Sequence, residues 1–162
     1  MSGRAYLSLG SNVEPERHLR AAIDALRARF GDVVTSPAYR TPAVGFDGPA
    51  FLNSAAIIDS DLEPQALNDW LHALEDAHGR DRSGPRFSDR TLDIDIVLFD
   101  DRVLDGAGNL RIPRPELKHA FVLRPLADIA PDVIVPGADR TLSQLWRAHA
   151  DYGMPGEVVS LD

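Results

Sequence analysis

Two aspartates separated by one residue, Asp93 and Asp95, are the pair whose types and spacing most directly predict chemistry in this sequence. They lie in the run 92–99, where alternating apolar residues predict a strand whose core face carries Leu92, Ile94, Ile96 and Leu98. The two carboxylates then share the other face, with Cα atoms about 6.5 Å apart. Because like charges this close repel, a divalent cation is expected there, and Mg2+ binds one or two carboxylates together with substrate phosphates. The alternative is an acidic strand face turned toward solvent.

Four arginines lie in the segment 79–90 that leads into this strand: Arg80, Arg82, Arg86 and Arg90. Guanidinium groups bind phosphate in a bidentate manner, and phosphoryl transfer needs cations on the moving oxygens more than covalent help from side chains. Two metal ions about 3.5–4 Å apart, held beside such arginines, would clamp a polyphosphate. The alternative is a solvated loop whose arginines pair with nearby aspartates.

The segment 41–53 predicts the second half of a site. Asn53 follows Phe51 by two residues, so both side chains lie on one face of a predicted strand. A buried amide beside an aromatic ring can recognise a flat heterocycle, because the ring stacks on it and the amide binds its edge. The alternative places Phe51 in the core and Asn53 at a bulge. On the next predicted helix His72 and Glu75 share one face, which belongs either to the site or to a solvated surface.

Alternating strand and helix patterns must position these residues. The predicted elements are a strand at 5–9, a helix at 16–29, a strand at 32–39 interrupted near Pro37, a strand at 51–59, a helix at 64–78 with Asp61 as its cap, and the strand at 92–99. A short hairpin at 102–112, helical pieces at 119–126 and 142–149 and a loose tail follow. This order predicts an α+β fold in one domain, 1–162, with a ferredoxin-like β-α-β-β-α-β core, extra C-terminal strands and short helices, layered α/β/α.

Composition limits the classes of function. The chain has 162 residues, with 17 Lys and Arg against 25 Asp and Glu, and a formal net charge of −8. An acidic chain is repelled by the nucleic-acid backbone, so no nucleic-acid partner is expected. The absence of cysteine excludes disulfides and a thiol nucleophile. No run is apolar and long enough to predict a membrane span, so we expect a cytoplasmic location. We also expect a monomer or weak homodimer.

Five motifs in order resemble those of the 6-hydroxymethyl-7,8-dihydropterin pyrophosphokinase family, over nearly the whole chain. They are Tyr-Leu-Ser-Leu-Gly-Ser-Asn at 6–12, Tyr-Arg-Thr-Pro at 39–42, Phe-Leu-Asn at 51–53, Arg-Thr-Leu-Asp-Ile-Asp-Ile at 90–96, and Ala-Phe-Val-Leu at 120–123 with Pro-Leu at 125–126. The resemblance implies an enzyme that transfers pyrophosphate from ATP to the hydroxyl of a reduced pterin. In this reaction the hydroxyl attacks the β-phosphorus and AMP is released.

The resemblance also implies roles for individual residues. Asp93 and Asp95 would bind two Mg2+ ions that bridge ATP, and Arg80 and Arg90 would act with them in catalysis, Arg80 from a mobile loop that closes over the reacting groups. The residues implied to bind the pterin, with the two phenylalanines sandwiching its ring, are Thr41, Pro42, Val44, Phe51, Asn53 and Phe121. The residues implied to contact the nucleotide, together with Arg90, are His72, Glu75, Arg82, Phe87, Ile96, Arg111, Arg114 and His119.

The sequence departs from the usual family pattern at two places. Ser88 and Asp89 stand where Gly-Pro usually precedes the arginine matched by Arg90, and Arg114 and His119 stand where the family usually has histidine and arginine. We hypothesise that this exchange of residue types conserves one fixed positive charge near the ATP phosphates, because arginine stays protonated at any working pH.

Two other classes of function compete with this interpretation. A nucleotidyltransferase also combines Gly-Ser with Asp-x-Asp, but there the two elements lie close in sequence, whereas Gly10-Ser11 and Asp93 are separated here by most of the chain. A ferredoxin-like domain that only binds a small molecule would not need paired carboxylates beside an arginine-rich loop.

Overall fold

A computed structural model of the chain describes residues 3–42, 48–79, 91–106, 110–154 and 156–161. The strands and helices within these residues are β1 (Gly3–Ser11), α1 (Pro15–Phe30), β2 (Val33–Thr35), β3 (Ala38–Thr41), β4 (Phe51–Ser60), α2 (Pro64–Ala77), β5 (Asp93–Phe99), β6 (Leu104–Asp105), β7 (Arg111–Ile112), a 3-10 helix (Pro115–Lys118), α3 (Ala120–Ile129), β8 (Ile134–Val135), β9 (Arg140–Thr141), α4 (Leu142–Arg147) and β10 (Glu157–Val159). The predicted break near Pro37 is confirmed, since β2 and β3 are separate strands on either side of it.

One antiparallel sheet of six strands organises the fold. Its order is β10-β3-β4-β1-β5, and β2 pairs with β4 beyond β3. The longest pairing runs from Gly3 opposite Ser60 to Ser11 opposite Leu52, so β1 and β4 form the centre of the sheet. This mixture of helices with an antiparallel sheet confirms the predicted α+β class.

Two buried cores lie on opposite faces of the sheet because the central strands are apolar on both sides. On one face, which we call the first face, Leu7 and Leu9 of β1 pack with apolar residues of α1 and α2. On the second face, Tyr6 of β1 and Ile57 of β4 pack with apolar residues of α3 and with Leu142 of α4. The result is the predicted layering of helices, sheet and helices. Within the described residues no helix is long and apolar enough to cross a membrane.

A β-bulge in β5 corrects the prediction made for Leu98. Leu7 pairs with Ile96 and Tyr6 pairs with Leu98, so Val97 is the extra residue of the bulge. The alternation expected of a regular strand is therefore lost after Ile96, and Leu98 packs in the core of the second face instead of the first. Asp93 and Asp95 precede the bulge and keep the predicted shared face.

Residues 156–161 lie against the sheet and the core of the first face, and for them the prediction of a loose tail is wrong. β10 pairs with β3 and so covers an edge of the sheet, and the carboxylate of Glu157 accepts a hydrogen bond of 2.7 Å from Arg40 Nε. Farther on, the Leu161 carbonyl accepts a 2.7 Å hydrogen bond from Arg20, and the Leu161 side chain packs against the core of the first face. The segment is short and weakly patterned, so only its distant pairing partner reveals that it is a strand.

The predicted cap of α2 is also wrong. Glu63, not Asp61, occupies the N-cap position, and it makes no side-chain capping bond; Pro64 is in the first turn, as predicted. Asp61 instead forms an ion pair with Arg29 of α1, with a Nη1–Oδ1 distance of 2.9 Å. A carboxylate three residues before a proline is therefore used here to join α1 to the segment before α2 rather than to cap α2.

Two histidines join the start of α1 to the end of α2. His18 is buried, and its Nδ1 lies 2.8 Å from Nδ1 of His78. Arg17 Nη2 approaches His18 Nε2 at 3.4 Å, and because arginine can only donate, that nitrogen must accept while His18 Nδ1 donates to His78. Burial is the largest cause that lowers the pKa of both histidines; His78 and then Arg17 lower the pKa of His18 further, and Arg17 lowers that of His78.

We expect this pair to make the protein less stable as the pH falls. A lowered folded-state pKa means that the unfolded chain binds protons more readily, so stability is present above the unfolded pKa near 6.5 and is lost as the pH falls through it toward the folded pKa. Melting temperatures near pH 8 and near pH 5.5 should therefore differ more in the native protein than in His78→Asn, by a few degrees. Asp95, whose pKa is raised, acts in the opposite sense in both proteins and cancels in the comparison. Parallel melting curves for the two proteins would contradict the expectation.

Candidate active site

A single row of residues across the sheet brings the predicted heterocycle-binding and metal-binding residues together. Tyr39 pairs with Asn53, Asn53 pairs with Gly10, and Gly10 pairs with Asp93. Directly paired residues point to the same face, and two strand spacings place the Cα atoms of Asn53 and Asp93 about 9.5 Å apart. Residues 40 apart in sequence are therefore neighbours on the second face of the sheet, at the end of its core.

Asn53 is held in a defined orientation at this row. It is 5% exposed, and its Nδ2 donates a 2.6 Å hydrogen bond to Thr41 Oγ1 on β3. A Cβ atom at Gly10 would lie 3.0 Å from Asn53 Oδ1, which is tighter than an ordinary contact. Gly10 therefore leaves room for the amide between the two halves of the site. This role of Gly10 was not predicted from the sequence, although a glycine inside a strand is a known sign of close approach.

Three carboxylates meet at the edge strand β5. One oxygen from each of Glu75, Asp93 and Asp95 lies within 4.8 Å of the others. Such a set of hard oxygen ligands fits Mg2+, which prefers carboxylates and phosphates. Glu75 is 1% exposed, and its Oε2 accepts a 2.9 Å hydrogen bond from the backbone N–H of Ile94. The alternative of a solvated helix surface is therefore wrong for Glu75, which ties α2 to the edge of the sheet.

Asp95 is a carboxylate whose charged form is disfavoured by its surroundings. Burial raises its pKa well above the ordinary range, the neighbouring Asp93 raises it further, and Glu75 and Glu116 add to the effect. Arg114 lowers it, since Nη2 of the guanidinium lies 3.5 Å from Asp95 Oδ1. A bound divalent cation would stabilise the charged form of Asp95, so the charge distribution agrees with a cation site.

Arg114 is fixed by its backbone and by a second carboxylate. Its backbone N–H donates a 2.9 Å hydrogen bond to the Val97 carbonyl of β5, two residues beyond Asp95. Its side-chain Nε lies 3.0 Å from Glu116 Oε2 on the 3-10 helix, but the Nε–H bond does not point at that oxygen. Glu116 Oε2 is therefore buried without a hydrogen bond from the described residues. The side chain is 16% exposed. The structure thus places Arg114 directly in the acidic cluster.

Aromatic residues lie on the same face of the sheet. Phe51 is half-buried two residues before Asn53 on β4, and Phe121 is half-buried in the first turn of α3. The His119 ring stacks on the Phe121 ring, with centroids 5.0 Å apart and planes 9° apart. His119 therefore supports one of the two rings implied to hold a heterocycle, which sequence reasoning did not foresee.

Other predicted site residues are less closely associated with this centre. Arg111 is exposed and pairs with Asp105, with an Nε–Oδ1 distance of 3.3 Å, and Pro42 is exposed. The Ile96 side chain lies in the core of the first face, so any ligand contact there must use its backbone. His72 is half-buried on α2, one turn before Glu75. The predicted residues outside the described part of the chain are Val44, Arg80, Arg82, Phe87 and Arg90.

Comparisons with known proteins agree on one family. The model of the family described as 7,8-dihydro-6-hydroxymethylpterin-pyrophosphokinase matches residues 6–131. The chain is 42% identical over 154 residues to the 2-amino-4-hydroxy-6-hydroxymethyldihydropteridine pyrophosphokinase of Pseudomonas aeruginosa, covering 91% of this chain and 93% of that one. It is 34% identical over 155 residues to the protein of the same name from Haemophilus influenzae, covering 93% and 95%.

Solved structures show the same fold. A crystal structure of an HPPK-DHPS protein in complex with substrates aligns with a TM-score of 0.74, and that of wild-type Plasmodium falciparum HPPK-DHPS with 0.73. Each alignment covers 93% of this chain at 13% identity, so the likeness concerns the fold alone. The chain spans 45% of the length of these larger proteins. With the family model matching most of the sequence, the chain belongs to the 7,8-dihydro-6-hydroxymethylpterin-pyrophosphokinase family.

Proposed function

We propose that this protein transfers the pyrophosphate of ATP to the hydroxyl of 6-hydroxymethyl-7,8-dihydropterin, in folate biosynthesis. The hydroxyl oxygen loses its proton and forms a bond to the β-phosphorus, the bond from that phosphorus to the oxygen shared with the α-phosphate breaks, and AMP leaves. Family membership supports this reaction. The observation that supports these residues as the site of the reaction is the row in which Asn53 and Asp93 flank Gly10 on one face of the sheet.

Asp93 and Asp95 are proposed to hold Mg2+, two ions as in the family resemblance. The metal would neutralise charge on the polyphosphate and orient it for in-line displacement. Glu75 positions strand β5 through its bond to the Ile94 N–H and adds negative charge to the cluster. Arg80 and Arg90 are proposed to contact the moving phosphoryl oxygens, since arginine binds such groups in a bidentate manner.

The pterin is proposed to lie over the other end of the same row. Asn53 would bind the edge of the heterocycle, with Thr41 holding the amide in place. Phe51 and Phe121 would stack on its two faces, and Pro42 and Val44 would complete the pocket. A heterocycle held here places its hydroxymethyl arm toward Asp93, because Gly10 alone separates Asn53 from Asp93 in the sheet.

The remaining predictions are proposals of the same kind. The nucleotide would contact His72, Glu75, Arg82, Phe87, Ile96, Arg111, Arg114 and His119. The sharing of phosphate contacts between Arg114 and His119 stays a prediction, as do the single domain 1–162, the monomer or weak homodimer and the cytoplasmic location. The strand order β3-β4-β1-β5, with β1 central, supports a ferredoxin-like core.

Product analysis tests the proposed reaction against its two rivals. The protein is incubated with ATP, Mg2+ and the reduced hydroxymethylpterin, and the nucleotide products are separated. AMP formation that requires the pterin supports pyrophosphate transfer. Release of inorganic pyrophosphate would identify a nucleotidyltransferase, and unchanged ATP would identify a domain that only binds the ligand; either result would refute the proposal. A reaction without pterin controls for hydrolysis of ATP.

Asn53→Ala should weaken pterin binding on the order of tenfold or more, because it removes a buried polar partner and leaves Thr41 without its donor. Affinity for a non-hydrolysable ATP analogue, measured by calorimetry, should hardly change. Ser54→Ala is the matched control, since Ser54 is buried next in sequence but bonds to Ser36 away from the row. Equal losses for pterin and nucleotide would place Asn53 outside the pterin pocket.

A further inference from the structure

Arg114 is the residue of the acidic cluster that carries positive charge. Its guanidinium lies 3.5 Å from Asp95 and 3.0 Å from Glu116, on the start of the 3-10 helix beside β5. It therefore partly neutralises the same carboxylate that is proposed to bind metal. Among the neighbours of Asp95 in the described part of the chain, it is the group that lowers the pKa of that carboxyl, while three carboxylates raise it.

Both contacts of the guanidinium are ion pairs, and they differ in length. A charge-assisted hydrogen bond between nitrogen and oxygen is normally about 2.7–2.9 Å long, so the 3.5 Å contact with Asp95 is a loose ion pair. The contact with Glu116 is shorter, and the Glu116 oxygen accepts no hydrogen bond from the described residues. Arg114 can thus move away from Asp95 without leaving its second carboxylate partner.

We propose that Arg114 is an internal counter-cation for Asp95 that competes with the divalent metal. Glu116 is the positioning residue that holds the guanidinium when Asp95 binds the metal. This inference rests on the proposed metal role of Asp95. Without nucleotide, the guanidinium weakens metal binding because it neutralises part of the negative charge of Asp95. When the metal arrives with a polyphosphate, the phosphate oxygens offer the guanidinium a new anion and the competition is relieved.

Mn2+ binding, followed by the loss of the free-ion electron paramagnetic resonance signal, tests the competition without any turnover. Arg114→Gln should bind Mn2+ on the order of tenfold more tightly than the native protein, because it removes a positive charge beside the ligand. Arg114→Lys keeps that charge and should show no such gain. Arg27→Gln controls for net charge, since Arg27 is exposed on α1 and pairs there with Asp24. A misfolded variant would lose metal binding, so damage to the fold cannot imitate a gain.

The same titration with a non-hydrolysable ATP analogue tests whether the guanidinium moves from Asp95 to the phosphates or only repels the metal. The gain in Arg114→Gln should disappear when the analogue is present. An equal gain with and without the analogue would refute the move of the guanidinium to the phosphates. An unchanged or lower affinity of Arg114→Gln for Mn2+ alone would refute the competition between Arg114 and the metal. Glu116→Gln should weaken Mn2+ binding in the native background and have little effect in Arg114→Gln, because it acts through Arg114; equal effects in both backgrounds would refute its positioning role.

Asp95→Asn separates failure of this inference from failure of the proposed metal site. If Asp95→Asn binds Mn2+ as well as the native protein, the metal assignment itself is wrong. If Asp95→Asn loses Mn2+ while Arg114→Gln binds it with unchanged affinity, the metal site stands and the role of Arg114 as its competitor is refuted.

Discussion

Asp95→Asn is expected to lower the rate of AMP formation by on the order of 10²–10³ or more, while the protein without Mg2+ melts at the same or a higher temperature. The loss of rate follows from the proposed metal role of Asp95. The unchanged or raised stability follows from its surroundings, because burial and Asp93 disfavour its charged form. Asparagine has nearly the same shape without that charge.

The pH dependence of the effect on stability has a definite sign. The folded-state pKa of Asp95 is raised, so the folded protein binds the proton more tightly than the unfolded chain. The contribution of the carboxyl to stability is therefore present at low pH, below the unfolded pKa near 3.8, and is lost as the pH rises through the folded pKa. The gain in melting temperature from Asp95→Asn should accordingly be largest near neutral pH and shrink in acid.

Scanning fluorimetry with and without Mg2+ measures both parts of this expectation. Mg2+ should raise the melting temperature of the native protein more than that of Asp95→Asn. Asp93→Asn should lose activity to a similar extent. Asp24→Asn is the matched control, because Asp24 is exposed on α1. Normal turnover by Asp95→Asn would refute the metal assignment, and a much lower melting temperature without Mg2+ would show that the charged carboxylate stabilises the fold.

Local patterns in the sequence were sufficient to predict the long strands, the helices α1 and α2, and the face of the two aspartates. The alternation of Ile94 and Ile96 with Asp93 and Asp95 is a property of one strand, and it is confirmed. The same rule failed at Leu98, because the position of a bulge depends on the partner strand as well as on β5. Leu98 consequently lies on the opposite face from the predicted one.

Features that depend on distant pairing could not be predicted in this way. The role of Gly10 requires knowledge that it stands between Asn53 and Asp93, and the strand at 157–159 is recognisable only beside β3. The burial of Glu75 has the same origin, because a glutamate near the end of an amphipathic helix is ordinarily solvated. Its partner, the Ile94 N–H, lies 19 residues away on the sheet edge.

Glu75 combines a structural contact with a place in the acidic cluster, and two substitutions should separate these roles. Glu75→Ala removes the acceptor of a buried backbone N–H, which costs about 1–3 kcal/mol of unfolding free energy. Glu75→Gln keeps an oxygen that can accept that bond and removes only the charge, so its stability should be close to native. Urea denaturation of the three proteins measures this difference.

Activity should follow a different order from stability. Glu75→Gln should lower the rate at limiting Mg2+ on the order of tenfold, because the cluster loses one of the three charges that attract the cation. Excess Mg2+ should recover much of this loss, since the other two carboxylates remain. Glu75→Ala should lose both stability and rate, and Mg2+ should not restore its stability. If Glu75→Gln turns over normally at limiting Mg2+ while Glu75→Ala is unstable, Glu75 serves only to hold strand β5, and the cation site consists of Asp93 and Asp95 alone.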